Sequence, residues 1–251
     1  MCYDSAGFFT KSYLVYKKLG IKGNRDMNRV EILDVKKSII EDNNADADLL
    51  RQELKKDKLF YVNIMSSPGA GKTTTLLRTI HNLKDELRIG VMEADIDSDV
   101  DAITIADAGI KSIQLHTGGM CHLDADMSRQ GMRALGTEDL DLVFLENVGN
   151  LVCPAEFDTG AVKNVAILSI PEGHDKPLKY PLMFELCDAV LINKIDAMTA
   201  FDFDMDAAKR VILERNPNSQ IFPISARTGE GVDTWCNWLR KQVREFCGED
   251  K

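Results

Sequence analysis

The sequence contains no apolar run approaching the roughly 18 residues of a membrane-spanning helix, so no such span is expected. Positive charge is also short. With 31 Lys and Arg against 40 Asp and Glu, the net charge of -9 argues against docking on nucleic-acid phosphates, which needs a basic face. Residues 1–26 lack a compact hydrophobic segment followed by a small-residue cleavage site, so no secretory signal is expected and the expected compartment is the cytoplasm. The six cysteines, at 2, 121, 153, 187, 236 and 247, are too scattered for a disulfide framework in a chain of this size. Cys187, Cys236 and Cys247 lie in apolar contexts and are expected to be reduced core residues. Internal repeats and low-complexity tracts are absent.

What the chain does have is a regular alternation. Apolar runs at 59–65, 88–94, 111–117, 141–147, 163–170, 188–194 and 220–225 alternate with 10 to 15 residues of helical character, such as "KTTTLLRTIHNLKDEL" and "DADMSRQGMRAL". Continuous rather than alternating apolar strands imply a sheet covered on both faces. The expectation is an α/β fold: a mostly parallel sheet of about seven strands, helices on both faces, ligands at the strands' C-terminal ends. This α/β domain is expected over 58–251, behind a helical segment at 27–57. Residues 1–26 fit neither pattern and read as an extension or a misassigned start before Met27. In the last helical pattern, Val232, Trp235, Leu239, Val243 and Phe246 recur at core-face spacing.

"MSSPGAGKTTTL" sits between a strand and a helix, the setting of a phosphate-binding loop. Gly69, Ala70, Gly71, Lys72, Thr73 and Thr74 are the candidate nucleotide-binding residues. The glycines let successive N–H groups converge on an anion at a helix N-terminus, Lys72 reaches the β- and γ-phosphates, and Thr73 ligates Mg²⁺. Ser66 replaces the usual first glycine, which the turn tolerates if φ stays negative. "LINKIDAM" supplies Asn193, which would tie this segment to the phosphate loop, Lys194, which would lie along the base and ribose, and Asp196. The Asp196 carboxylate can accept from both guanine N1–H and its amino group, a donor pair that adenine lacks. Ser225 and Ala226 in "PISARTGEG" would also touch the base, so the nucleotide is expected to be GTP rather than ATP. Asp95 and Glu146 end two strands and are, with Lys72, the candidate catalytic residues and, with Thr73, the Mg²⁺ residues. Gly149 would sense the γ-phosphate. Asp97 has no assigned role. With no evident catalytic glutamine or arginine finger, slow intrinsic turnover is expected.

"GGMCHLDADM" and "ENVGNLVCPAEFD" place Cys121, His122 and Cys153 on loops near that nucleotide end. Thiolate and imidazole suit Ni²⁺ or Zn²⁺, although each residue taken singly also reads as packing. Three ligands, or two if Cys153 stays back, leave such a site open. A second copy across a two-fold axis would complete it, assembled by GTP and dismantled by hydrolysis. His116 and Met120 are further soft side chains, read as packing or loop residues.

Together "SSPGAGKTT", "GGMCHLDADM", "ENVGNLVCPAEFD", "EGHDKPLKYP", "NKID" and "TGEGVDTWCNWL" resemble the HypB family of hydrogenase nickel-incorporation GTPases, from about residue 27 onward. The resemblance implies a SIMIBI-class P-loop GTPase and GTP-dependent homodimer that assists nickel insertion into the [NiFe]-hydrogenase large-subunit precursor beside a HypA-type metallochaperone. It also implies that Cys121, His122 and Cys153 form the family's metal site. The N-terminal Cys-x-x-Cys-Gly-Cys or histidine-rich tracts of some members are missing: only Cys2 precedes the domain and the four histidines are dispersed. High-affinity nickel storage is therefore not expected. The rivals are a urease-type nickel GTPase, whose motif has a proline between cysteine and histidine, and a GTP-binding regulatory module with structural zinc.

Overall fold

The computed structural model describes residues 35–95 and 109–248, with side chains over 40–94 and 109–248. Residues 1–26, Met27 and Asp97, and the side chain of Asp95, lie outside the described residues. Internal contacts divide the chain into residues 1–35 and 36–251, and only the second unit is treated below.

In chain order the main elements are α1 (Val35–Asp57), β1 (Phe60–Ser66), α2 (Lys72–Leu83), β2 (Ile89–Asp95), β3 (Lys111–His116) and α3 (Ala125–Leu135). They continue with β4 (Leu142–Glu146), α4 (Cys153–Glu156), β5 (Lys163–Ser169), α5 (Lys176–Lys179) and α6 (Pro181–Leu186). The last are β6 (Ala189–Asn193), α7 (Met205–Arg215), β7 (Gln220–Pro223) and α8 (Val232–Cys247). Short 3-10 segments at Ile170–Glu172 and Ile195–Ala200 follow β5 and β6. Seven strands stand where the seven apolar runs predict them. The pattern after Lys72 reads as helix through Leu87, but α2 stops at Leu83. Leu87 still packs into the core, which prolongs the apolar periodicity past the last helical turn.

All seven residues of β1 are buried, and successive side chains point to opposite faces. Phe60, Val62 and Ile64 enter one cluster with Leu76, Ile80 and Leu83 of α2 and Trp235, Leu239 and Val243 of α8. Tyr61 joins Leu50 and Leu54 of α1 and Met132 and Leu135 of α3. Met65 joins Met183 and Phe184 of α6 and Ile212 of α7. The sheet is therefore covered on both sides, as its unbroken apolar strands require. Cys187, Cys236 and Cys247 are buried. Asp124 caps α3 by accepting from the Met127 N–H at 2.8 Å, the expected use of a short acidic side chain at that place.

The strand order is β3-β2-β4-β1-β5-β6-β7, with every pairing parallel. The chain leaves β1 toward one edge and later returns to fill the other side. The carboxyl end of β1 is thus the switch point at which such sheets bind ligands. Trp235 anchors α8 behind it: fully buried, it donates its indole N–H to the Thr79 hydroxyl at 3.0 Å and meets Phe222 edge-on at 5.7 Å. Trp235→Ala is expected to cost about 3–5 kcal/mol, read as a lowered urea midpoint at unchanged slope.

Candidate functional site

β1 ends at Ser66 and α2 begins at Lys72, so residues 67–71 form the connecting loop. Among the described residues only Lys58 and Lys194 combine a side chain with positive φ. Ser66 is not one of them, which is how a serine is accommodated at the loop's first position. Gly69 and Gly71 do lie in the left-handed region, at φ 75 and 96°, where backbone N–H groups can curl round an anion. Gly69, Gly71, Lys72, Thr73 and Thr74 line a cavity of about 480 Å³ whose opposite wall is Glu93, Ala94 and residues 146–149. Gly149 faces the loop closely, since a Cβ on it would lie 3.5 Å from the Lys72 Nζ.

The Thr73 hydroxyl donates to Glu146 Oε1 at 2.9 Å. Glu146 ends β4 and its register neighbour on β2 is Glu93, both nearly fully buried. Two adjacent carboxylates and a hydroxyl make an all-oxygen donor set, suited to a hard divalent cation such as Mg²⁺. Asp95 ends β2 beside them. Glu93 is not a candidate from the sequence motifs. Its only signal there is an acidic residue two places before Asp95 in a largely apolar strand, "IGVMEAD".

A second cavity, of about 530 Å³, shares Gly71 and Thr74 with the first and is lined further by Asn193, Lys194, Asp196 and Ala226. Asn193 joins the two. Its amide N–H donates to the Ala70 carbonyl at 3.0 Å and to the Thr75 hydroxyl at 3.3 Å. Its amide oxygen accepts from the Ala226 N–H at 3.1 Å and the Lys194 N–H at 2.8 Å. Lys194, at φ 65°, extends its amine to the Gly69 carbonyl at 2.6 Å. Asp196 Oδ1 accepts from the Ser225 hydroxyl at 2.7 Å, and the same hydroxyl oxygen accepts from the Thr228 N–H at 3.1 Å. Phosphate loop, "NKID" segment and serine–alanine loop are thus one hydrogen-bonded unit.

Cys121 and Cys153 come together although they are far apart in sequence. The two thiols interact, and the Cys121 thiol, followed by burial, holds the Cys153 thiol above its ordinary range. Asn150 donates to the Cys153 sulfur at 3.8 Å. His122 is turned aside: its ring stacks on Phe157 with centroids 3.6 Å apart and planes 11° from parallel. Burial pulls the imidazole below its ordinary value, against the carboxylates of Asp124 and Glu156. The neutral ring so favoured is the form that ligates metals. Among the described residues no group of three or more His, Cys, Asp or Glu side chains is arranged to hold a metal ion. One chain therefore brings the two thiols together without the imidazole. Met120 is exposed on the loop before Cys121, and His116 ends β3.

The family model of the CobW/HypB/UreG nucleotide-binding domain matches residues 60–223, the span from β1 to β7. A hydrogenase maturation factor HypB of Rhizobium leguminosarum bv. viciae is 44 % identical over 213 residues, covering 85 % of this chain and 71 % of the relative. A hydrogenase/urease maturation factor HypB of Helicobacter pylori (strain J99) is 35 % identical over 233 residues, covering 91 % of this chain and 95 % of the relative. The crystal structure of a Helicobacter pylori HypB in complex with nickel superposes with a TM-score of 0.76 at 36 % identity, covering 81 % of this chain and 96 % of that one. With the domain match spanning the whole sheet and relatives aligned along most of both chains, this chain belongs to the HypB family of hydrogenase maturation factors.

Proposed function

We propose that the chain is a GTP-hydrolysing metallochaperone, acting in the cytoplasm, that assists nickel insertion into a [NiFe]-hydrogenase large-subunit precursor beside a HypA-type metallochaperone. The observation that carries the nucleotide reading is Asn193, whose one amide ties the phosphate loop to the segments bearing Asp196 and Ala226. Gly69 to Thr74 and Lys72 hold the phosphates, and Asp196, Lys194, Ser225 and Ala226 hold guanine. Thr73, Glu146, Asp95 and the newly found Glu93 hold Mg²⁺ or its water shell; the ion when bound neutralises charge developing on the phosphates. Gly149, against Lys72, is placed to sense the γ-phosphate. No glutamine or arginine lines the phosphate cavity among the described residues, which supports slow unassisted turnover.

Nickel is the cargo. Cys153 stands just past Gly149 in the sequence, and its contact with Cys121 pairs two soft side chains, which supports a metal site coupled to the nucleotide. His122 and a second copy of the chain complete the set in a GTP-dependent homodimer, in which zinc is the competing occupant. The test is native mass and nickel affinity of the full chain with GDP and with a non-hydrolysable GTP analogue. The analogue is expected to double the mass and tighten nickel binding. Cys121→Ser should weaken nickel binding by more than the roughly 10- to 100-fold that outer-shell partners command. Equal mass and equal affinity in both nucleotide states would sink the coupling. Firmly held zinc without nickel transfer would favour a regulatory module. Urease is kept as a second target on one observation, that the Helicobacter pylori relative is named for both enzymes.

A further inference from the structure

The phosphate loop is held on two flanks, and only one of them belongs to the base-reading segment. On that flank Asn193 and Lys194 take the carbonyls of Ala70 and Gly69. On the other stands Glu172, at the end of the 3-10 turn after β5. Its Oε2 accepts from the N–H and the hydroxyl of Ser169 at 2.8 and 2.7 Å, a local capping arrangement. Its Oε1 reaches from the end of β5 to that of the adjacent β1 to accept from the hydroxyl of Ser67. The carboxylate side chain is only 14 % exposed, and Lys176 Nζ lies 3.9 Å away.

The capping arrangement accounts for one carboxylate oxygen and leaves the other on Ser67. Holding a carboxylate this far from water costs free energy unless both oxygens are hydrogen-bonded. Ser67 is fixed from within the loop as well. Its carbonyl accepts from the Ser66 hydroxyl at 2.8 Å and, more loosely, from the Ala70 N–H at 3.4 Å. Its side chain is absent from the lining of the phosphate cavity and is engaged instead by Glu172.

We propose that Glu172 is a positioning residue for nucleotide binding: through the Ser67 hydroxyl it holds the first turn of the phosphate loop in its anion-binding shape. The same carboxylate ties that loop to the segment carrying Lys176. This rests on the reading of residues 66–74 as a nucleotide site.

The test uses the full chain, with binding of fluorescent mant-GDP, steady-state GTP hydrolysis and melting temperature measured for each variant. Ser67→Ala removes only the reaching bond and leaves the Ser169 cap. It is expected to raise Kd and KM about tenfold, with kcat near wild type and only a small drop in melting temperature, because Lys176 Nζ still lies 3.9 Å from the Oε1 that loses its partner. Ser67→Thr, which keeps the hydroxyl, is expected to restore binding. Glu172→Ala, which removes the acceptor, should also weaken binding, and adding Ser67→Ala to it should weaken it no further, because the two act through one bond. Wild-type affinity in Ser67→Ala, failure of Ser67→Thr to restore it, or additive losses in the double variant would each overturn the proposal. A wild-type chain that binds no guanine nucleotide would overturn the nucleotide reading itself, before any variant is compared.

Discussion

Asp196→Asn is expected to abolish the preference for GTP and to replace it with one for xanthosine triphosphate. Guanine presents two donors, N1–H and the amino group, which an acceptor-only carboxylate satisfies together. The orientation of the new amide is set by its surroundings. The Ser225 hydroxyl oxygen already accepts from the Thr228 N–H, so its own hydrogen is directed at Oδ1. That keeps the Asn oxygen on Ser225 and turns the amide NH₂ toward the base. A donor then faces a donor in guanine, whereas xanthine offers a carbonyl at the same place. Sites built to hydrogen-bond a polar group discriminate by roughly 10⁴-fold or more when that pairing is lost. Part of this is recovered by water in a cavity open to solvent, leaving an expected loss of about 10²- to 10³-fold in GTP affinity. Competition of the two triphosphates against mant-GDP measures it. A variant that still prefers GTP would remove Asp196 from the base site.

Gly71→Ala should be comparably severe for a different reason. At φ 96° a side chain is strained by roughly 1–2 kcal/mol. The new Cβ would also lie 2.6 Å from Asn193 Nδ2, and that amide cannot retreat without releasing the carbonyl of Ala70 and the N–H of Ala226. Overpacking adds about 1–3 kcal/mol. Together these predict a loss of nucleotide affinity of about 100-fold or more, read by titration with mant-GDP. Gly69→Ala is the internal control. Its φ is also positive, but nothing lies within 4 Å of the added Cβ, so only the strain remains and the loss should be about tenfold. Equal effects at the two glycines would show that the joint at Asn193 is not what matters.

The central strands were legible because they are largely apolar runs such as "LVFLE" or "AVLIN", buried throughout, whereas the edge strands β3 and β7 are only partly buried. The order of the strands in the sheet was not legible. β1 takes β4 and β5 as neighbours, pairing Phe60 with Leu142 and Val62 with Lys163, and nothing in local periodicity encodes such distant choices. That the 67–71 loop lies beside the segments bearing Asn193 and Ala226 was legible from residue type and order. Their joint at Asn193 also followed from the motif. The Glu172–Ser67 contact spans 105 positions and no spacing rule reaches it. Nor did spacing reveal that His122 lies on Phe157, since stacking depends on how two loops meet. The short helices α4, α5 and α6 span four, four and six residues, too little for a helical period to emerge.

At position 194 the backbone and the side chain make opposite demands on sequence. A left-handed φ of 65° is the natural home of glycine, and any other residue there gives up about 1–2 kcal/mol of fold stability. Only a long amine, however, can span the distance to the Gly69 carbonyl. Selection for thermal stability alone would therefore drive this lysine toward glycine, while selection for a fixed 67–71 loop would restore it. A stabilising change to glycine at position 194 would release the Gly69 carbonyl and loosen that loop.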